Sequence, residues 1–99
     1  MMGNMKVRAH IFVSGMVQGV FFRVETRCEA LKRSVAGWVR NASDGRVEAI
    51  FEGEKGDVEQ LIDFFGLGPS GARVLKIDIK WEEYSGVFDG FKILRTVII

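Results

Sequence analysis

The sequence has one cysteine, Cys28, one proline, Pro69, and one histidine, His10. A lone cysteine excludes a disulfide framework, and without a Cys/His cluster no zinc site is expected. Excess charge of either sign is missing too. Fourteen Lys and Arg stand against 13 Asp and Glu, a net charge of +1. No overall field would recruit nucleic acid or a membrane, although a local basic site stays open. No apolar run approaches the ~18–20 residues of a membrane-spanning helix. The start, Met1 to Met5, lacks the apolar core of a signal peptide, so a cytoplasmic location is expected. Repeats, low-complexity tracts and linkers are absent.

What remains is 99 residues, 47% hydrophobic and 27% charged. That composition excludes disorder and fits a single globular domain over 1–99, burying roughly 60–70% of its unfolded surface. The length leaves little room for a cofactor domain beside a substrate domain, and no cofactor is expected. Catalysis would have to rest on a few side chains and the backbone.

Val7, Ala9, Ile11 and Val13 alternate with polar or aromatic residues, which predicts a strand over about 6–14. Val24, Cys28, Leu31 and Val35 recur at helical spacing and predict a helix over about 22–34, with Cys28 on its buried stripe. A short strand containing Trp38 and a second over Arg46–Gly53 flank Ser43-Asp44-Gly45, which is turn chemistry. Val58, Leu61, Ile62 and Phe65 predict a second helix over about 55–66, stopped by Gly66, Gly68 and Pro69. Strands are expected over about 75–84 and 91–98, joined by a loop. The order matches an α+β, ferredoxin-like split β-α-β sandwich. It would have a five-stranded, mostly antiparallel sheet with both helices on one face and a more open second face.

Two segments carry chemical interest. Gly15-Met16-Val17-Gln18-Gly19-Val20-Phe21-Phe22-Arg23 lies between the first strand and the first helix. Glycines permit a tight turn, and amides at a helix start together with an arginine fork suit an anion such as phosphate. Generic features alone favour a plain glycine loop with an exposed arginine. The second segment holds Asn41, whose amide could hold a water without titrating, or could merely start a turn. Other signals carry less. Gly66 to Gly71 matches Gly-x-Gly-x-x-Gly but follows a helix and contains Pro69, so it is no dinucleotide loop. His10 lies opposite Val7 and Ile11 and reads as packed or solvent-facing. No set of carboxylates near these segments forms a magnesium site.

Gly15-Met-Val-Gln-Gly-Val-Phe-Phe-Arg23 resembles the acylphosphatase signature Gly-x-Val-Gln-Gly-Val-x-Phe/Tyr-Arg. A given start meets that string by chance on the order of 10⁻⁸ of the time. Gly37, Trp38, Val39, Asn41, Gly45, Val47 and Gly53 match the family's second segment. The resemblance runs from about Lys6 to Leu94. Many members have Thr after the asparagine, where this chain has Ala42 and then Ser43. The tail Thr96–Ile99 is less family-like and is expected to pack on the sheet or on another chain.

The resemblance implies a metal-independent hydrolase acting on acyl phosphates, with inorganic phosphate as product and competitive inhibitor. It implies that Arg23 and the loop from Gly15 to Phe22 bind the phosphoryl group and that Asn41 orients a water. The chain is then expected to be a monomer without nucleic-acid or membrane partners. One alternative is a carbamoyl-phosphate-handling module like that of hydrogenase maturation proteins, which are usually fused to cysteine-rich domains. The other is a non-catalytic ferredoxin-like binding domain. Arg46 to Gly53 lacks the aromatic strand motif of RNA-recognition domains.

Overall fold

Two-residue alternation builds the centre of the sheet. In the computed structural model, which describes residues 5–99, strand β1 runs from Lys6 to Met16. It buries Ala9, Ile11 and Val13 and turns Arg8, His10 and Phe12 to the other face. Helix α1 (Phe22–Lys32), strands β2 (Ala36–Asn41) and β3 (Val47–Glu54), helix α2 (Lys55–Leu67), and strands β4 (Arg73–Glu82) and β5 (Phe91–Ile93) follow. The sheet order is β4-β1-β3-β2-β5. Every pairing is antiparallel except β2 with β5. This is the five-stranded α+β arrangement that the residue pattern predicts.

Both helices pack on the face that carries Ala9, Ile11 and Val13. α2 follows its expected stripe and buries Val58, Leu61 and Phe65. Between the layers, Phe65 meets Phe22 and Phe51 edge-on, with ring centroids 5.2 Å apart in each pair. That geometry aligns ring edges with ring faces and adds to the gain from burial.

α1 departs from its expected stripe. Its buried residues are Phe22, Thr26 and Ala30, while Val24, Leu31 and Cys28 are exposed. Val24 lies two residues past Phe22, about 200° around the helix. Hydrophobicity alone pointed to the larger side chains, but past Phe22 the helix approaches the sheet through the small Thr26 and Ala30. The Thr26 hydroxyl is satisfied within the helix, donating to the Phe22 carbonyl at 2.8 Å. The last strand is also shorter than expected. β5 ends at Ile93, and the chain rejoins the sheet only at a parallel bridge between Ala42 and Val97. The tail therefore packs on its own domain.

The second face is covered by charged side chains and a strap. Arg40 and His10 both engage Glu48, at 2.8 and 2.6 Å. The loop 83–90 crosses near Glu52, which is only 2% exposed. Its carboxylate accepts the Ser85 hydroxyl (2.7 Å), the amides of Ser85 (2.9 Å) and Gly86 (3.0 Å), and Arg8 Nη1 (3.2 Å). Burial alone would raise the Glu52 pKa. The Ser85 and Gly86 donors and Arg8 outweigh it and hold the carboxyl below its ordinary value. A depressed folded-state pKa stabilises the fold above the unfolded value and loses that contribution as pH falls through the folded value. Glu52→Gln is expected to remove about 3 kcal/mol, because it breaks a buried charge-assisted network. Urea titrations at neutral and acidic pH check this, and the gap between parent and variant should shrink as the medium is acidified.

Candidate active site

The β1–α1 connection starts with a backbone conflict that only glycine resolves. Gly15 has φ +125°, and a Cβ there would lie 2.2 Å from the Arg73 carbonyl oxygen. The β1–β4 register shifts between Ser14 and Gly15, with Leu75 as the extra residue on the β4 side. Such a bulge redirects the strand into the loop. Val17, buried, pins the loop to the core. At Gly19 the backbone again takes a positive φ, +75°, and a Cβ there would meet nothing within 4 Å. Phe21 then adopts φ 59°, ψ 22° at the N-cap of α1 and offers no side-chain cap. A non-glycine residue in this left-handed region costs of order 1 kcal/mol or more, and such strain concentrates at functional sites.

This path leaves donors unused. Among the described residues, no backbone amide from Gln18 to Val24 donates to a protein acceptor, and the first helical bond of this kind is Glu25 N–H to the Phe21 carbonyl at 2.9 Å. The positive end of the α1 dipole lies at the same place. Val17, Gly19, Phe21, Phe22, Arg23 and Val24 line a hollow of about 320 Å³. The half-buried Arg23 makes no ion pair and no side-chain hydrogen bond among the described residues. Unpaired amides, a helix start and an uncommitted guanidinium around one hollow form a site that can accept an oxyanion.

The other candidate loop residues take different places. Gly15 and Met16 are the last paired residues of β1, opposite Val74 and Arg73, and do not line the hollow. Val20 packs against the core. The Gln18 side chain donates from Nε2 to the carbonyls of Ala42 and Arg46, at 2.9 Å each. It therefore clasps the loop to the turn directly after Asn41, a role that residue spacing did not reveal.

Asn41 closes β2 opposite Val47. Its Oδ1 is buried and has no hydrogen-bond partner among the described residues. An orphaned buried acceptor is unfavourable unless a ligand or water completes it. Asn41 does not line the hollow, and Gln18 provides the connection between the two. The tail holds the Asn41 backbone from the other side. Val97 N–H donates to the Asn41 carbonyl (3.0 Å), Ser43 N–H to the Val97 carbonyl (2.9 Å), and Ile99 N–H to Ser43 Oγ (2.9 Å). Val97 falls inside the strand expected over 91–98, but its pairing with Asn41 and Ala42 was not expected. Among the described residues, no group of three or more His, Cys, Asp or Glu side chains is placed to hold a metal ion.

Comparison with known proteins bears on which oxyanion this is. The sequence profile of the acylphosphatase family matches residues 9–93, a stretch that contains both segments. The chain belongs to the acylphosphatase family. An acylphosphatase of Pelotomaculum thermopropionicum is 50% identical over 88 residues, covering 89% of this chain and 96% of that protein. The crystal structure of the Bacillus subtilis acylphosphatase superposes with a TM-score of 0.85 at 34% identity, covering 89% of this chain and 98% of that one. Full-length HypF in its phosphate- and nucleotide-bound form contains a similar unit. There the TM-score is 0.87 at 28% identity, over 98% of this chain but 13% of HypF. Acylphosphatases are hydrolases, and the matched stretch stops short of the Thr96–Ile99 tail. The tail residues that bond to Asn41 lie just beyond that stretch.

Proposed function

We propose that this protein hydrolyses acyl phosphates, the mixed anhydrides of a carboxylic acid and phosphoric acid. The observation that carries this reading is the run of amides from Gln18 to Val24, unpaired among the described residues, with the uncommitted Arg23 within it. Those donors would surround the phosphoryl oxygens and stabilise charge on the group in transfer, without reorganising at the moment of reaction. A water held on Asn41 Oδ1 would attack phosphorus opposite the departing carboxylate. The new P–O bond forms as the anhydride P–O bond breaks. Its electron pair leaves with the carboxylate, and the water's proton passes to a phosphoryl oxygen. A carboxylate leaves readily, so a strong general acid is unnecessary. Neither segment supplies a Cys or His nucleophile, and direct attack by water fits better than a covalent intermediate.

One competing reading, raised by the sequence resemblance, is a module that handles carbamoyl phosphate. Steady-state release of phosphate from benzoyl phosphate and from carbamoyl phosphate, each with and without chelator, separates the two. The expected result is chelator-insensitive turnover of benzoyl phosphate, with inorganic phosphate as a competitive inhibitor. Turnover confined to carbamoyl phosphate would sink the general reading.

A further inference from the structure

The β4 edge of the sheet is free. β4 pairs only with β1, and among the described residues no backbone group of Lys76–Glu82 bonds to any segment beyond it. Lys76 to Glu82 pairs with β1 without interruption, because the bulge falls earlier, at Leu75. Ile77, Ile79 and Trp81 share the helix-bearing face with Val13, Ile11 and Ala9. Ile79 is 41% and Trp81 50% exposed there. An uninterrupted edge with exposed apolar residues is a template for another strand.

From this edge we infer that β4 is a self-association surface whose partner is a second copy of this chain, paired antiparallel about Ile79. In that register Lys76 faces Glu82, Ile77 faces Trp81, Asp78 faces Lys80 and Ile79 faces itself. By two-fold symmetry each unlike pair occurs twice, so all four charged pairs are opposite in sign and every other pair is apolar. Centring on Asp78 instead sets Asp78 against Asp78 and Lys76 against Lys80. Centring on Lys80 sets Lys80 against Lys80 and Asp78 against Glu82. A one-residue slip puts Ile79 opposite a charged side chain. Centring on Ile77 or Trp81 also faces opposite charges, Lys76 with Asp78 or Lys80 with Glu82, but sets Val74 against Lys80 or Ile79 against Glu83, so only the Ile79-centred register matches every facing pair from Lys76 to Glu82. One existing contact competes, since Glu82 already accepts from Arg8 Nε at 2.9 Å, and Lys76 of the second copy would have to share that carboxylate. The Lys76–Asp78 pair is loose at 3.7 Å and exposed, and exposed pairs contribute little. The two-fold axis would stand perpendicular to the sheet, joining two five-stranded sheets into one with all helices on one side. This proposal replaces the expectation of a monomer.

Sedimentation equilibrium between about 1 µM and about 1 mM, the range of small, weak interfaces, tests it. The parent should pass from monomer to dimer within that range. Asp78→Lys alone and Lys80→Asp alone each create two like-charge pairs and should weaken the dimer at least about tenfold. Mixing the two variants restores opposite signs at both pairs and should restore the dimer as a heterodimer. Circular dichroism melts establish that both variants are folded. A parent that stays monomeric throughout, single variants that dimerise like the parent, or a mixture that fails to recover would each overturn the proposal.

Discussion

Arg23→Gln should lower kcat/KM for benzoyl phosphate by about 10³-fold, roughly 4 kcal/mol of transition-state stabilisation. The loss should fall on both kcat and KM, because the guanidinium would hold the phosphoryl oxygens before and during transfer. Inhibition by inorganic phosphate should weaken in parallel. Glutamine keeps a planar donor but removes the charge and one arm of the fork. Arg23→Lys restores charge without the fork and should recover only part of the loss. Stability supplies the contrast. Arg23 makes no ion pair or side-chain hydrogen bond among the described residues, so the unfolding free energy from urea titration should stay within about 0.5 kcal/mol of the parent. Undiminished phosphate binding in Arg23→Gln would remove Arg23 from the oxyanion site. A large loss of stability would mean that its role is in the fold.

That separation of function from stability parallels what the sequence could convey. β1 and α2 were legible because burial there follows simple periods, as in Ala9-Ile11-Val13 and Val58-Leu61-Phe65, whereas β3 was legible from its alternating residue types although both its faces are buried. The buried side of α1 was not, since Thr26 and Ala30 carry little hydrophobic signal although their small size permits close packing. Arg23 and Asn41 stood out only as parts of two spaced segments. Neither is distinctive alone, as arginines are commonly exposed and asparagines common in turns. The strained Phe21, the Gln18 clasp and the tail bonds to Asn41 were invisible for a different reason. Each depends on a left-handed backbone or on a pairing between residues far apart in the chain. The site is therefore readable as residue types, while its preorganisation is readable only in three dimensions.

Asn41→Ala tests the other half of the site and should behave in the opposite way to Arg23→Gln. The expected change is a fall in kcat of about 10³-fold, again roughly 4 kcal/mol, with KM and phosphate inhibition nearly unchanged. A group that orients the attacking water contributes only once attack begins, whereas a phosphate donor contributes from binding onward. The buried, partnerless Oδ1 makes a second forecast. Removing an unsatisfied buried acceptor should leave stability unchanged or raise it by about 1 kcal/mol. Asn41→Asp sharpens the assignment. It keeps the shape and an acceptor oxygen but sets a negative charge where a phosphoryl anion must approach, so KM should rise as kcat falls. If Asn41→Ala turns over benzoyl phosphate at the parent rate, the water-positioning role is wrong. The orphaned oxygen would then mark a structural water at the end of β2, and the amides with Arg23 would have to account for catalysis alone.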